Sequence, residues 1–240
     1  GSCPTTDNGT VKARVEIRDK DLDASTYSAD VTVNNVAPSA TFNAPASVNE
    51  GSDINISLTG VVDPGTADTH EFRFSCDGGT TWTAWGTTTS HACSTTDNGT
   101  RSVKGEVRDD DGGTNSYTAS VTVNNVAPSA TFNAPASVNE GSSISLSLTG
   151  PSDPSSVDTA AGFEYRFSCD DGLTWTSWSS TSTGSCPTTD NGTVKARGEI
   201  RDKDLDASTY SADVTVNNVA PTATFNATAL VNEGGSSSVS

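Results

Sequence analysis

Apolar and polar residues alternate with a period of two along short stretches of the chain, and no apolar stripe of helical period runs through it. In the best-defined region the runs SATFNA, SISLSLTG, FEYRFSC, TWTSWS, TVKARGEIR and STYSADVTV lie between Ser129 and Val216, each bounded by Gly, Asn, Asp, Ser or Pro. Alternation of this kind sends successive side chains to opposite faces of a strand, one buried and one wet. The pattern therefore predicts six or seven short strands in about 90 residues and almost no helix, the strand count of an immunoglobulin-like β-sandwich.

The same pattern recurs. The block NNVAPSATFNAPASVNEGS begins at Asn34 and again at Asn124, and a degenerate copy begins at Asn217, giving spacings of 90 and 93 residues. Residues 1–38 return from Gly184 onward with one change, Val15 against Gly198. The chain is thus expected to be all-β, built from tandem immunoglobulin-like sandwich repeats of about 90 residues. Residues 37–126 and 127–219 form complete repeats, residues 1–36 the last part of a preceding one, and residues 220–240 the start of a following one. The VNNVAP linker places Pro38 and Pro128 just past a final strand, where a fixed φ stiffens the step to the next repeat. The end pieces read as parts of a longer array, with any export signal lying outside this stretch.

Cysteine spacing repeats as well. Cys76 and Cys93, like Cys169 and Cys186, are 17 positions apart, and Cys3 matches Cys186, so its partner is expected upstream. Regularly paired Cys in a polar, acidic, repeat-built chain fits an oxidising compartment. A zinc site would need four ligands per repeat, yet His70 and His91 occur in one repeat only. Disulfides are expected, each closing a loop worth about 3 kcal/mol by chain entropy. The segments SCDGGTTW from Ser75 and SCDDGLTW from Ser168 fit S-x-D-x-G-x-T-W and resemble the Asp-box turn of sialidases, which implies that Asp77 and Asp170 satisfy turn amides. Trp82 with Trp85, and Trp175 with Trp178, are spaced by three, which on a strand sends one ring into the core and leaves the other outside as a lateral or glycan contact.

Charge narrows the partners. Thirty acidic residues against 13 basic ones give a net charge of −17, which argues against nucleic acid and anionic membrane surfaces and favours cations. No apolar run approaches the length of a membrane span. In a sandwich of this kind the loops DPGTADT (Asp63, Asp68) and RDDDGG (Asp109, Asp110, Asp111) fall at the end that meets the linker residues Asn34 and Asn35. One repeat later the same logic gathers Glu50, from the VNEG turn, with Asn124, Asn125, Asp153, Asp158, Asp202, Asp204 and Asp206, and with Lys203 inside the acidic stretch. Hard oxygen donors in that number are what Ca²⁺ takes, so a Ca²⁺ site is expected at each such end. N-G-T at Asn8, Asn98 and Asn191 fits the N-glycan acceptor pattern, as do N-I-S at Asn55 and N-A-T at Asn226. The Asp-Asn-Gly context of the first three also makes a turn. No nucleophile elbow, phosphate loop or HExxH appears, and acidic loops recurring in every repeat are unlike an active site, so no enzyme is expected.

The features VNEGSSISLSLTGPSDPS, the RDKD or RDDDGG loop before a TASVTV-like final strand, and the VNNVAP linker together resemble the PKD-like and bacterial Ig-like modules of large bacterial surface proteins. The resemblance implies a spacer, stalk, filament or adhesin role at the cell surface or outside the cell. The function expected from the sequence is an extracellular structural repeat array whose partners are copies of itself in a fibre or surface array. Its rivals are an adhesin or carbohydrate-binding array that recognises glycans, and accessory domains of a large secreted hydrolase.

Overall fold

The computed structural model describes residues 1–227 and 229–240; Thr228, the third residue of the N-A-T sequence at Asn226, lies outside the described residues. The chain divides into two compact units, Gly1–Val126 with Asp153–Ala161, and Ala127–Ser152 with Gly162–Ser240.

In the first unit, β1 (Gly9–Arg18) and β2 (Ala24–Val33) form an antiparallel hairpin. A sandwich follows from β3 (Ser39–Asn43), β4 (Ser47–Asn49), β5 (Ile54–Val62), β6 (His70–Ser75), β7 (Ser90–Cys93), β8 (Gly99–Asp109) and β9 (Thr114–Asn124). Its sheets have the orders β3-β5-β7 and β4-β9-β8-β6. The opening stretch is shared between both sheets: β3 runs antiparallel to β5, then β4 crosses over and pairs in parallel with β9. This is an immunoglobulin-like arrangement of three and four strands. The second unit repeats it with β10 (Ser129–Asn133), β11 (Ser137–Asn139), β12 (Ile144–Ser152), β13 (Glu164–Ser168), β14 (Thr183–Cys186), β15 (Gly192–Arg201) and β16 (Ala207–Asn217), in sheets β10-β12-β14 and β11-β16-β15-β13. One short helix, α1 (Ser156–Ala161), is found among the described residues.

Period-2 alternation accounts for the core. Ile54, Ile56 and Leu58 on β5 are buried, whereas Asn55 points to solvent. Val103 and Val107 on β8 meet them from the opposite sheet, with Phe72, Phe74, Val121 and Val123 completing the cluster. Ile144, Leu146, Leu148, Phe167, Ala196, Ile200 and Val214 do the same in the second unit. Between the valines of β8 sits Gly105, where an added Cβ would lie 2.8 Å from the Phe42 ring, and Gly198 stands in the same relation to Phe132 at 2.7 Å. Val15, at the corresponding place in β1, is exposed. The one difference between the two copies of that segment therefore falls at a position where the complete sandwich admits no side chain.

One expected strand is absent. TWTSWS makes only an isolated bridge, Ser179 with Tyr165, matched by Gly86 with Phe72 in the first unit. Two that period-2 reading leaves out are present, β4/β11 and β7/β14, at three and four residues too short to display an alternation.

Candidate metal centre

The cysteines pair as their spacing predicts: Cys76–Cys93 and Cys169–Cys186 are disulfides with Cα atoms 5.5 Å apart, and Cys3 is exposed. His91 lies near the first pair, but both sulfurs are already engaged in the S–S bond, so that group is no zinc site. Each disulfide ties the start of an Asp-box turn to the edge strand β7 or β14.

The Asp-box carboxylates are satisfied by their own turns. Asp77 accepts from the Ser75 hydroxyl at 2.7 Å, the Thr81 amide at 2.9 Å and the Thr81 hydroxyl at 2.6 Å. Asp170 accepts from Ser168 at 2.7 Å, from the Thr174 amide at 2.8 Å and from the Thr174 hydroxyl at 2.5 Å. Hydrogen bonds to the charged form favour it. The Thr81 hydroxyl and amide hold the Asp77 carboxyl far below the usual carboxylate range, and the Thr174 hydroxyl and amide push that of Asp170 down to about 2.

The tryptophans depart from the expected one-in, one-out arrangement. Arg73 projects from the outer face of β6, and its guanidinium stacks on both Trp82 and Trp85, 4.7 and 4.5 Å from the ring centres; Arg108 lies 4.4 Å from Trp85. Arg166 repeats this with Trp175 and Trp178, at 4.6 and 4.5 Å, and Arg201 lies 4.3 Å from Trp178. Because the segment is not a strand, its backbone turns both rings to one side, and all four tryptophans are half-buried. Glu106 and Glu71 anchor the guanidinium groups of Arg73 and Arg108 at 2.7 and 2.6 Å. Stacking of this kind is worth about 0.5–1 kcal/mol per contact at an exposed site.

The acidic residues gather in the first unit in two places. Glu50 follows β4, and its amide donates to the Asn124 carbonyl at 3.0 Å. Its side chain is 1% exposed; Oε1 accepts the Val126 amide at 2.8 Å, while Oε2 is buried and has no hydrogen-bond partner among the described residues. Carboxylate oxygens of Glu50, Asp97 and Asp158 lie within 4.8 Å of one another, and Glu50 and Asp158 are buried. Burial raises the Glu50 carboxyl above its ordinary value; the Val126 N–H opposes this, and the charges of Asp158, Asp153 and Asp97 add to it. The close approach is permitted by Gly51, at φ 74°, where a Cβ would sit 2.7 Å from the Pro154 carbonyl oxygen. Ser155 then donates to the Thr96 carbonyl at 2.8 Å and accepts the Asp158 amide at 3.1 Å, fixing the segment that carries Asp153 and Asp158.

The second place lies near the linker residues Asn34 and Asn35. Asp7, Asp68 and Asp111 converge there, as do Asp63, Asp68 and Asp109. Asp109 is buried and accepts Gly113 N–H at 2.7 Å and the Asn35 amide at 3.0 Å; Asp63 accepts Gly65 N–H at 2.9 Å and meets His70 at 3.0 Å. Burial raises the Asp68 carboxyl, and Asp63, Asp7, Asp110 and Asp111 raise it further. Asp110 turns instead to the Thr69 amide at 3.0 Å, which lowers its carboxyl.

Other expected site residues have local tasks. Asn34 is exposed, Asn125 is half-buried, and Asn124 donates to Asn49 at 3.4 Å. In the second unit Asp202 is buried and holds its own turn through the amides of Asp204 and Asp206, at 2.8 and 3.1 Å, as Asp109 does in the first; Asp204 pairs with Lys203. Asn8, Asn98 and Asn191 each follow an Asp whose carboxylate accepts their amide, at 2.7, 3.1 and 2.9 Å. Asp97 and Asp7 are the residues that sequence reasoning missed. Their T-T-D-N-G stretch reads as a turn or glycan acceptor, and only its exact recurrence at Asp190 hinted at more.

Buried carboxylates thus cluster where their hard oxygen donors could hold a divalent cation. Among the described residues no helix is long and apolar enough to cross a membrane.

No family model and no curated protein matches the chain. Among solved structures it is similar to fibronectin(III)-like modules of CbhA from Clostridium thermocellum, at 19% identity and a TM-score of 0.32, covering 75% of this chain and 95% of that one. The three N-terminal domains of the bacteriophage RB49 highly immunogenic outer capsid protein (Hoc) share 12% identity at a TM-score of 0.32, covering 92% and 91%. A tetra-tandem repeat from the extending region of a large adhesion protein shares 16% identity at a TM-score of 0.29, covering 88% and 57%. Likenesses at this level carry no argument about function, and the sandwich assignment rests on the strand order above. Disulfides and this fold are consistent with an extracellular or cell-surface setting.

Proposed function

We propose that the chain is a segment of an extracellular structural repeat array, a stalk or surface fibre, in which PKD-like sandwiches are each locked by a disulfide and stiffened at their ends by Ca²⁺. The observation that carries the cation reading is Glu50, buried to 1% exposure with one carboxylate oxygen unpartnered beside Asp97 and Asp158. A buried carboxylate oxygen without a donor is costly, and a cation bound by three carboxylates would remove that cost. Ca²⁺ suits the site better than Mg²⁺, because the ligands come from separate turns and Mg²⁺ demands a tighter octahedron.

The repetition supports the array. Repeat stability is roughly a sum of local and neighbour terms, so near-identical units can be added without redesign, and copies of the same chain are the natural partners. Lys and Arg are few and none of the clusters is basic, which supports the absence of nucleic acid as a partner. The adhesin alternative draws on the tryptophans, but their ring faces are engaged by Arg73, Arg108, Arg166 and Arg201, leaving less aromatic surface for a sugar. A role as accessory domains of a secreted hydrolase has no structural feature in its favour here.

Small-angle scattering of the chain in millimolar Ca²⁺ and in EDTA tests the stiffening. A longer maximum dimension and a narrower distance distribution in Ca²⁺ are expected; superimposable profiles would leave only proline and disulfides as stiffening devices.

A further inference from the structure

We infer that Asp97 of the T-T-D-N-G turn is a ligand of the cation held by Glu50 and Asp158, and that Thr95 is its positioning residue. The inference rests on the cation reading proposed above and assigns to the site an element that sequence reasoning took for a turn or a glycan acceptor.

Three observations carry it. Asp97 brings a carboxylate oxygen within 4.8 Å of those of Glu50 and Asp158, and the buried Oε2 of Glu50 lacks any hydrogen-bond donor among the described residues. Ionised neighbouring carboxylates cannot supply that oxygen a donor, and a bound cation would satisfy it together with the oxygens of Asp97 and Asp158. Next, the pairing is not a single occurrence. Asp7 stands at the same place in the preceding T-T-D-N-G copy and converges with Asp68, the counterpart of Asp158. The approach of the backbones recurs with it: the Thr6 carbonyl accepts the Ala67 amide at 3.4 Å, and the Thr96 carbonyl accepts the Ser155 hydroxyl at 2.8 Å. Finally, the turn that presents Asp97 is held rigidly. Cys93 fixes its start through the disulfide to Cys76. Two residues later Thr95, 6% exposed, donates its hydroxyl to the Ser52 carbonyl at 2.8 Å. Ser52 lies in the same β4–β5 turn as Glu50, so a single hydrogen bond ties together the two loops that carry the ligands. Thr188 makes the corresponding bond to Ser142 at 2.6 Å in the second unit. A site built this way has one ligand on each of three segments, which is the condition for a cation to lock them together.

The test is Ca²⁺ titration of the full chain by calorimetry, with the folded state of each variant checked by its unfolding midpoint in EDTA. Asp158→Asn probes the underlying cation reading, and Asp97→Asn and Thr95→Val probe this inference. Each Asp→Asn change is expected to weaken one class of Ca²⁺ site at least tenfold, with the EDTA midpoint showing that the variant remains folded. Thr95→Val is expected to weaken the same class severalfold, and Thr95→Ser, which keeps the hydroxyl, to restore it. Wild-type affinity in Asp97→Asn alongside a loss in Asp158→Asn would overturn the assignment of Asp97 and leave the cation reading standing. Absence of Ca²⁺ binding by the wild-type chain would overturn both.

Discussion

Asp170 and Glu50 are acidic residues in turns of the same repeated sandwich, and their surroundings push them in opposite directions. Asp170 is wrapped by the hydroxyls of Ser168 and Thr174 and by the Thr174 amide, all within five sequence positions of it, and its carboxyl is pushed down to about 2. Glu50 receives one amide, from Val126, and otherwise faces burial and the carboxylates of Asp158, Asp153 and Asp97, which hold its carboxyl up. The first charge is completed by the chain that carries it. The second is gathered with like charges by the fold, an arrangement that a bound cation would relieve at the unpartnered Oε2 of Glu50.

Substitutions in the two regions should therefore differ in their response to Ca²⁺. Asp158→Asn should erase the Ca²⁺-dependent part of the stability of the first unit, about 2.7 kcal/mol when free Ca²⁺ is a hundredfold above its dissociation constant. In EDTA the same variant should stay folded, so that its loss is confined to the Ca²⁺-dependent part. Asp170→Ala should lower the midpoint in both buffers to the same extent, because the amides and hydroxyls it leaves behind never saw the cation. Paired thermal melts of the two variants make the comparison, and a Ca²⁺-dependent effect of Asp170→Ala would break it.

Acid should separate the regions next. A depressed carboxyl contributes stability that is present above its unfolded value of 3.8 and is lost as pH falls through its folded value, so the Asp170 turn should weaken as pH falls from 3.8 to about 2. A raised carboxyl works the other way: its favourable contribution is complete below the ordinary value and is lost as pH rises through the raised one. In EDTA the chain should therefore gain stability as pH falls from neutral towards the ordinary carboxylate range, through Glu50 and Asp68, before it loses stability at lower pH through Asp77 and Asp170. Midpoints measured across a pH series in EDTA and in Ca²⁺ check this, and in Ca²⁺ the early gain should be absent. The smallest expected effect is that of salt. Raising NaCl in EDTA should stabilise slightly by screening the clustered carboxylates, and should leave the difference between Asp170→Ala and wild type unchanged.

The same contrast explains how much could be read from the sequence. The strands of the sandwich, the two disulfides and the Asp-box turns are local patterns: alternation, a 17-residue spacing, an eight-residue motif. Each is decided by neighbours in the chain, and all but the strand expected at TWTSWS are found in the structure. The short strands β4 and β7 are decided by pairing with β9 and β5, which three or four residues cannot announce. Trp82 and Trp85 mislead because their spacing of three was read on a strand, whereas stacking on Arg73 draws both rings to one side of an irregular segment. Glu50, Asp153 and Asp158 were anticipated from where sandwich loops fall, but Asp97 was not, because T-T-D-N-G is fully explained as a turn until the fold brings it beside them.

The most direct measurement is thermal unfolding of the disulfide-intact chain in millimolar Ca²⁺ and again in EDTA. A higher midpoint in Ca²⁺ that disappears in Glu50→Gln is the result this structure predicts. Coincident curves for the wild-type chain would contradict it and return the acidic loops to the status of solvated turns.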